Sequence, residues 1–263
     1  MLPKLPVVVT ASGLFAAIAC GSPSAPTPLP LSQSVASAHY VFHYSAGDSI
    51  NSAWQEEFHA WAAAALEVDG SRPITYNKYL SRQHMDALIG VGNTNGWADA
   101  NAYTLHTLWP IDNHEAVHLL ASSFAYPGPV ALFNEGLAVA HSTNPHDGDL
   151  VAKWSGVALD DRARAYRGSG EFASLTSIVT SSGFRAINSN VAYPVSGSFV
   201  KYLLGRFPLS TVKDFFRRGH PGDSLDTVRS SFADVFGVSL DQIEADWLRH
   251  LDGGTPMSFG FRR

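Results

Sequence analysis

The chain has 263 residues, of which 45% are hydrophobic and 16% charged, and this is enough apolar material for one sizeable core. Acidic residues outnumber basic ones by 23 to 18, and no basic run occurs. The sequence therefore lacks the positive footprint of a nucleic-acid-binding protein, and we expect no nucleic acid partner. A single cysteine, Cys20, excludes an intrachain disulfide.

The first 19 residues have the pattern of a secretory signal peptide. Lys4 precedes an apolar run over residues 5–19 that is too short for a comfortable transmembrane helix. The run ends in small residues directly before Cys20 and resembles the lipobox of bacterial lipoproteins, in which the cysteine is lipidated. Ala17 stands where that motif usually has leucine, so an ordinary signal peptide with nearby cleavage is the alternative.

Residues 20–38 are predicted to form a lipidated cysteine and a flexible tether, because GSPSAPTPLPLSQSVASA is rich in Pro, Ser and Ala. Residues 39–263 are predicted to form one domain, with a β-rich part at 39–110 and a helical part at 111–252. Together these segments predict an exported protein on the periplasmic or cell-surface side of a membrane. Its membrane contact would be the lipid anchor at Cys20.

The β-rich part is predicted to contain four strands, one helix and a loop. Alternation from His39 indicates the first strand, and a helix capped by Asp48 or Ser49 follows through about Val68. The other strands are predicted in PITYNKYLS, at residues 85–91 and at residues 100–110, with GNTNG as a loop between the last two.

The helical part begins after Pro110. Asp112 is the expected N-cap of a helix from Asn113 to about residue 124, and a second helix is predicted over residues 129–141. Further helices are expected near residues 160–166, 196–206, 210–218, 224–236 and 239–251, the last with a capping box. Strands followed by helices predict an α+β fold, with a small N-terminal mixed sheet and a mostly helical C-terminal lobe.

The segment HEAVH carries the strongest chemical signal. On a helix, His114 and His118 lie one turn apart, so both imidazoles can reach one metal ion. Glu115 points about 100° away from His114 and can serve as a base toward a water molecule. On the next predicted helix, Glu135 lies in the apolar segment ALFNEGLAVA, with sixteen residues between it and His118. An unpaired buried carboxylate is costly there, so we expect it to be a third metal ligand.

HEAVH followed by NEGLA resembles the HExxH…E zinc metallopeptidases called gluzincins, and the wider pattern is similar to the bacterial peptidase MA-like families. The resemblance implies a thermolysin-like catalytic core and one zinc ion per chain held by His114, His118 and Glu135. Glu115 would be the general base. Val139 departs from the family pattern, which has an aspartate four residues after the glutamate ligand, and no GxMEN motif of the M1 aminopeptidases occurs.

The resemblance also implies an oxyanion donor from a later part of the chain. Tyr193, just before a predicted helix, is our candidate, and His141 is a weaker one. The strand at residues 101–108 would pair with substrate backbone if it were an edge strand. His106 on this strand is expected to be a polar residue of the groove.

The sequence thus predicts a zinc metallopeptidase that hydrolyses peptide or protein substrates. A zinc amide hydrolase with another substrate class remains open, because zinc and base chemistry are shared. A cell-surface binding or scaffold module with an inactive metal site is the alternative from another class. Substrate specificity and oligomeric state are not predicted.

Overall fold

A computed structural model of the chain describes residues 29–142, 153–172 and 174–254. The predicted signal peptide, Cys20 and residues 21–28 of the predicted tether lie outside these residues. Within the described part of the chain, no helix combines the length and apolar character needed to span a bilayer.

A five-stranded mixed sheet forms the N-terminal part, with strand order β1-β2-β3-β5-β4. The outer pairs β1/β2 and β4/β5 are antiparallel, whereas β2/β3 and β3/β5 are parallel. The sheet strands are β1 (Gln33–Ala36), β2 (Tyr40–Tyr44), β3 (Ile74–Lys78), β4 (Gly96–Asp99) and β5 (Thr104–Thr107).

The helices dominate the rest of the chain, so the expected arrangement of a small mixed sheet and a helical C-terminal part is confirmed. A two-stranded hairpin of β6 (Lys153–Trp154) and β7 (Val157–Ala158) precedes the fifth helix. The helices are α1 (Ser52–Ala65), α2 (Arg82–Ile89), α3 (Asn113–Ala121), α4 (Ala131–His141), α5 (Leu159–Ser169), α6 (Ser181–Ala186), α7 (Ser189–Arg206), α8 (Leu209–Arg218), α9 (Leu225–Phe236) and α10 (Leu240–Leu251).

The prediction of a tether through residue 38 was wrong at its end, because residues 33–36 form β1. This strand pairs with β2 in the register Gln33↔Tyr44. All four of its side chains are exposed. Strand β1 is therefore held by backbone hydrogen bonds rather than by apolar side chains, and hydrophobic periodicity gives no sign of it.

The prediction of a strand at residues 85–91 was also wrong, because this segment belongs to α2. The hydroxyl of Ser81 accepts a hydrogen bond from the His84 N–H at the start of the helix. Gly90 ends the helix in the left-handed conformation, at φ 72°. Within α2 only His84 and Met85 are buried, so the short apolar run is one face of a surface helix.

The predicted loop GNTNG ends in a strand, and this changes the edge of the sheet. β4 begins at Gly96 and is the outer strand, whereas β5 lies between β3 and β4. The strand predicted at residues 100–110 is therefore present in its central part, but it is not an edge strand.

Helix α7 begins seven residues earlier than predicted, at Ser189, and so includes Tyr193 and Pro194. Pro194 lies in the second turn and cannot donate to the Asn190 carbonyl, and Asn188 caps the first turn by accepting from the Asn190 N–H. The expectation that Tyr193 precedes a helix was wrong for this reason.

Helices α4 and α7 approach each other closely because each has a glycine at the contact. A Cβ on Gly136 would lie 2.7 Å from the carbonyl oxygen of Ser196, and a Cβ on Gly197 would lie 2.4 Å from Cγ1 of Val139. Larger residues at either position would force the helices apart. This contact places the N-terminal half of α7 beside the end of α3 that carries the histidines.

Candidate metal centre

Helix α3 presents three polar side chains on the side that faces away from the core. The Oδ1 atom of Asp112 accepts a hydrogen bond from the Glu115 N–H at 3.1 Å, which confirms the predicted N-cap. Ala116, Val117, Leu119 and Leu120 are fully buried. Burial of that apolar face leaves His114, Glu115 and His118 directed away from the core.

Glu135 reaches both histidines from α4, as predicted. Its Oε2 atom lies 3.0 Å from Nε2 of His114 and 3.3 Å from Nε2 of His118. The two Nε2 atoms are 3.2 Å apart. The three side chains thus converge through one donor atom each, and they form a group that could hold a metal ion.

The spacing of the three donor atoms fits a tetrahedral ion. Ligand bonds of about 2.0–2.1 Å place the donor atoms of a tetrahedral site about 3.3 Å apart. The observed separations of 3.0, 3.2 and 3.3 Å are close to that value. Three ligands leave one position of a tetrahedron for water or substrate, as in catalytic rather than structural zinc sites.

The electrostatics of the centre favour a cation. Desolvation raises the pKa of the Glu135 carboxyl, but His118 and His114 outweigh it and hold the pKa well below its ordinary value. Desolvation lowers the pKa of His114, yet the hydrogen bond to Glu135 and the neighbouring carboxylates raise it to about 9. Without a metal, His114 therefore takes up a proton to balance the negative charge around it.

Glu115 lies between α3 and β4, in a space that only a glycine leaves open. A Cβ on Gly96 would lie 2.8 Å from Oε1 of Glu115 and 2.9 Å from Oδ2 of Asp112. Desolvation raises the pKa of Glu115 to about 7, His114 opposes this shift and Asp112 adds to it. A carboxyl group with a pKa near neutrality can both accept and release a proton, as a general base requires.

Tyr193 stands beside the centre on α7. Its ring centroid is 5.8 Å from that of His114, and its ring stacks on Trp154 at 5.5 Å and meets Phe184 edge-on at 5.2 Å. Desolvation and the charges of Glu135 and Glu115 raise the pKa of its hydroxyl well above the ordinary value. The hydroxyl thus keeps its proton at neutral pH and can donate a hydrogen bond.

The other candidate side chains are not at the centre. His141 is buried, its Nδ1 atom is 3.0 Å from the Leu137 carbonyl oxygen, and its ring packs toward Trp61. His106 is buried between the rings of Trp97 and Tyr79, and it hydrogen-bonds to the Tyr79 hydroxyl. The expectation that His106 is a groove residue was wrong, because alternation along β5 directs it to the opposite face from Leu105.

Two cavities of about 520 and 490 Å³ adjoin the centre. Both are lined by Glu115 and Tyr193, and they share Asn93, Thr94 and Gly96 of the segment 93–96. The sequence reading missed this segment, since the polar and glycine-rich letters NTNG indicate only a loop. Alternation in WADA is too short to reveal the edge strand that follows.

Neither the comparison with models of known protein families nor the comparison with curated proteins finds a match for this chain.

Proposed function

We propose that the chain is a zinc-dependent metallopeptidase with a gluzincin-type catalytic core. The observation that carries this proposal is the convergence of His114, His118 and Glu135 through donor atoms 3.0–3.3 Å apart. The resemblance of HEAVH and NEGLA to the gluzincin motifs supports the same assignment.

Zinc is the metal that best suits this donor set. Two imidazole nitrogens and one carboxylate oxygen match the ligands of catalytic zinc, whereas magnesium and calcium prefer sites made of oxygen atoms. When bound, zinc supplies Lewis-acid chemistry, which polarises a carbonyl group and lowers the pKa of water.

The chain's own residues have three further tasks in the proposed reaction. Glu115 accepts a proton from the attacking water and delivers it to the departing amine. Tyr193 donates its hydroxyl proton in a hydrogen bond to the oxyanion that forms at the scissile carbonyl. Trp154 and Phe184 pack against the Tyr193 ring and hold it in place.

We assign substrate pairing to β4 rather than to the strand at residues 101–108. β4 pairs only with β5 among the described strands, and Ala98 lines the first cavity. The Leu108 N–H donates to the Asn95 carbonyl at 3.0 Å. Bonded and non-bonded pairs alternate in antiparallel strands, so the backbone N–H and C=O of Ala98 point away from β5. They offer an extended peptide a place to add as a further strand.

We further propose that residues 1–19 direct export and that lipidated Cys20 anchors the protein to a membrane on the periplasmic or cell-surface side. The proposal rests on the lipobox-like sequence before Cys20. Radiolabelled palmitate should be incorporated into the full chain in bacteria and not into the Cys20→Ala variant. Equal labelling of both would contradict the anchor.

The substitution Glu115→Gln tests the proposed chemistry. It removes the base and preserves the size of the side chain, so hydrolysis of a mixed peptide library should fall by about a hundredfold or more. The same preparation should bind zinc as the native chain does. Glu57→Gln, the same change at an exposed site on α1, should leave both properties unchanged.

Three outcomes would contradict the proposal in different ways. Chelator-insensitive hydrolysis would remove the role of zinc. Full activity of the Glu115→Gln variant would remove the role of Glu115. A native chain that binds zinc but cleaves no peptide would favour another amide substrate or a binding module.

A further inference from the structure

The two cavities beside the centre adjoin one another at shared lining residues, and together they are called the cleft. They share Glu115, Tyr193 and Gly96, so the proposed base and oxyanion donor stand at the junction rather than at a closed end. From this junction one arm extends toward Tyr126 and the other toward Trp109. A substrate bound at the junction therefore has room on both sides of the reacting bond.

Among the described residues, the arm toward Tyr126 has no charged side chain apart from those of the centre. Among the described residues that line it, the charged carboxylates are Glu115 and Glu135, which belong to the centre. The remaining polar groups are neutral amide and hydroxyl side chains such as those of Asn93, Thr94 and Asn134. A terminal ammonium or carboxylate group would lose its hydration in this arm without gaining an ionic partner.

The arm toward Trp109 contains one cation, Arg82, in addition to the residues of the centre. The Nε atom of Arg82 donates to Oδ1 of Asn95 at 2.7 Å, on an exposed part of α2. The acidic residue at the base of this arm, Asp112, is 7% exposed and already accepts from the Glu115 N–H. Among the described residues that line this arm, Arg82 is thus the one group outside the centre that could select a terminal carboxylate.

Exposed aromatic side chains line both arms. Tyr126 is 57% exposed and Trp97 39% exposed in the first arm, and Trp109 is 51% exposed in the second. Rings of this size, held at the edge of a cleft, gain binding energy by covering apolar substrate side chains. The cleft is therefore suited to uncharged or aromatic residues on either side of the bond.

We propose that the cleft binds the middle of an extended polypeptide and that the enzyme is an endopeptidase, which cleaves internal bonds flanked by uncharged side chains. This inference rests on the proposed peptidase function. Both ends of the substrate run out of the cleft, Tyr126 contacts a side chain on one side of the bond, and Trp109 contacts one on the other.

A set of fluorescence-quenched decapeptides with one apolar central sequence tests the proposal. One peptide has free termini, one is acetylated, one is amidated and one carries both caps. The zinc-loaded chain should cleave all four near the middle, with kcat/KM values within about twofold of one another. A loss of more than about tenfold on capping either end would overturn the proposal.

Variants distinguish binding of uncharged substrate side chains in the cleft from selection of a terminal carboxylate by Arg82. Trp109→Ala and Tyr126→Ala should each lower kcat/KM by about five- to tenfold, mainly through KM. Leu80→Ala removes a side chain that is 50% exposed outside both cavities, and it should have no effect. Arg82→Ala should change kcat/KM by the same factor for the peptide with a free carboxylate and for the amidated peptide, whereas a loss confined to the free carboxylate would overturn the proposal.

The outcomes also distinguish this inference from the proposed function. If no peptide is cleaved and zinc is bound, the peptidase assignment fails and the cleft proposal fails with it. If peptides are cleaved but only one or two residues are released from an end, the peptidase assignment survives and the endopeptidase proposal is wrong. Native kcat/KM values in both Trp109→Ala and Tyr126→Ala would likewise overturn the proposal that these two rings contact substrate side chains.

Discussion

Two groups of charged side chains flank helix α7, and they are balanced in different ways. At its N-terminal half, Glu135 meets the imidazoles of His114 and His118. At its C-terminal half, Asp246 of α10 is fully buried, and it accepts hydrogen bonds from the Tyr202 hydroxyl and from Arg249. Arg206 adds a second guanidinium 3.6 Å from Asp246.

The difference shows which group requires an ion. The carboxylate of Asp246 is neutralised by permanently charged guanidinium groups of the same chain. At the centre, Asp112, Glu115 and Glu135 lie beside His114 and His118, whose charge depends on protonation, and no described arginine or lysine forms an ion pair with these three carboxylates. A divalent cation would supply the missing positive charge at the centre. Removal of that cation should therefore affect the centre and not the cluster around Asp246.

Replacement of a metal ligand should have the largest effect. Structural zinc sites bind with about 10–16 kcal/mol from four ligands, so one ligand is worth about 2.5–4 kcal/mol. Glu135→Ala should therefore weaken zinc binding by about a hundred- to a thousandfold in a competition titration with a fluorescent chelator. Native affinity in this variant would show that Glu135 is not a ligand.

Removal of Asp246 should lower stability instead of zinc affinity. Asp246→Ala leaves Tyr202, Arg206 and Arg249 without their buried partner, and we expect the free energy of unfolding to fall by about 3 kcal/mol. Denaturant unfolding measures this loss. Asp241 lies on the same helix as Asp246 and forms an exposed ion pair with Arg229 of α9. Asp241→Ala breaks this pair and should cost at most about 1 kcal/mol. A change in zinc affinity in Asp246→Ala under folding conditions would contradict the separation of the two groups.

Substitution of Gly136 should affect both stability and the centre. A Cβ there would lie 2.6 Å from Cγ2 of Val200, so Gly136→Ala should force α7 away from α4 and cost about 1–3 kcal/mol. Gly205→Ala is the matched control on α7, since no atom lies within 4 Å of its added Cβ, and it should be neutral or slightly stabilising. Equal stability of both variants in thermal unfolding would argue against the close contact.

Zinc affinity should also depend on pH, by about 1.4 kcal/mol per pH unit. The pKa of His114 is raised to about 9 in the metal-free chain, so its proton must leave when zinc binds. Zinc affinity should rise about tenfold per unit between pH 6 and pH 8 and level off above pH 9. Titration calorimetry in two buffers would detect the released proton, and an affinity independent of pH would contradict the pairing of His114 with Glu135.

The sequence revealed the ligands because helical geometry fixes their relation. Two histidines four residues apart on α3 must share a face, and Asp112 marks the start of that helix in its sequence. Glu135 was predicted from the cost of an isolated carboxylate in an apolar helix. Each of these inferences depends on local spacing or on burial, which a single sequence expresses.

The surroundings of the centre could not be read in the same way. β1 and β4 are short outer strands whose pairing depends on the backbone of distant residues, and their side chains show little apolar alternation. The importance of Gly96 appears only when β4 lies against Glu115. Tyr193 was selected for its chemistry, but its position beside His114 depends on the close contact of α4 and α7.

The most direct test of the account is a crystal structure of the zinc-loaded chain with anomalous diffraction measured at the zinc edge. The account predicts one anomalous peak per chain, about 2.0–2.1 Å from Nε2 of His114, Nε2 of His118 and Oε2 of Glu135. A zinc peak at another position, or no peak between these three atoms at saturating zinc, would contradict the account.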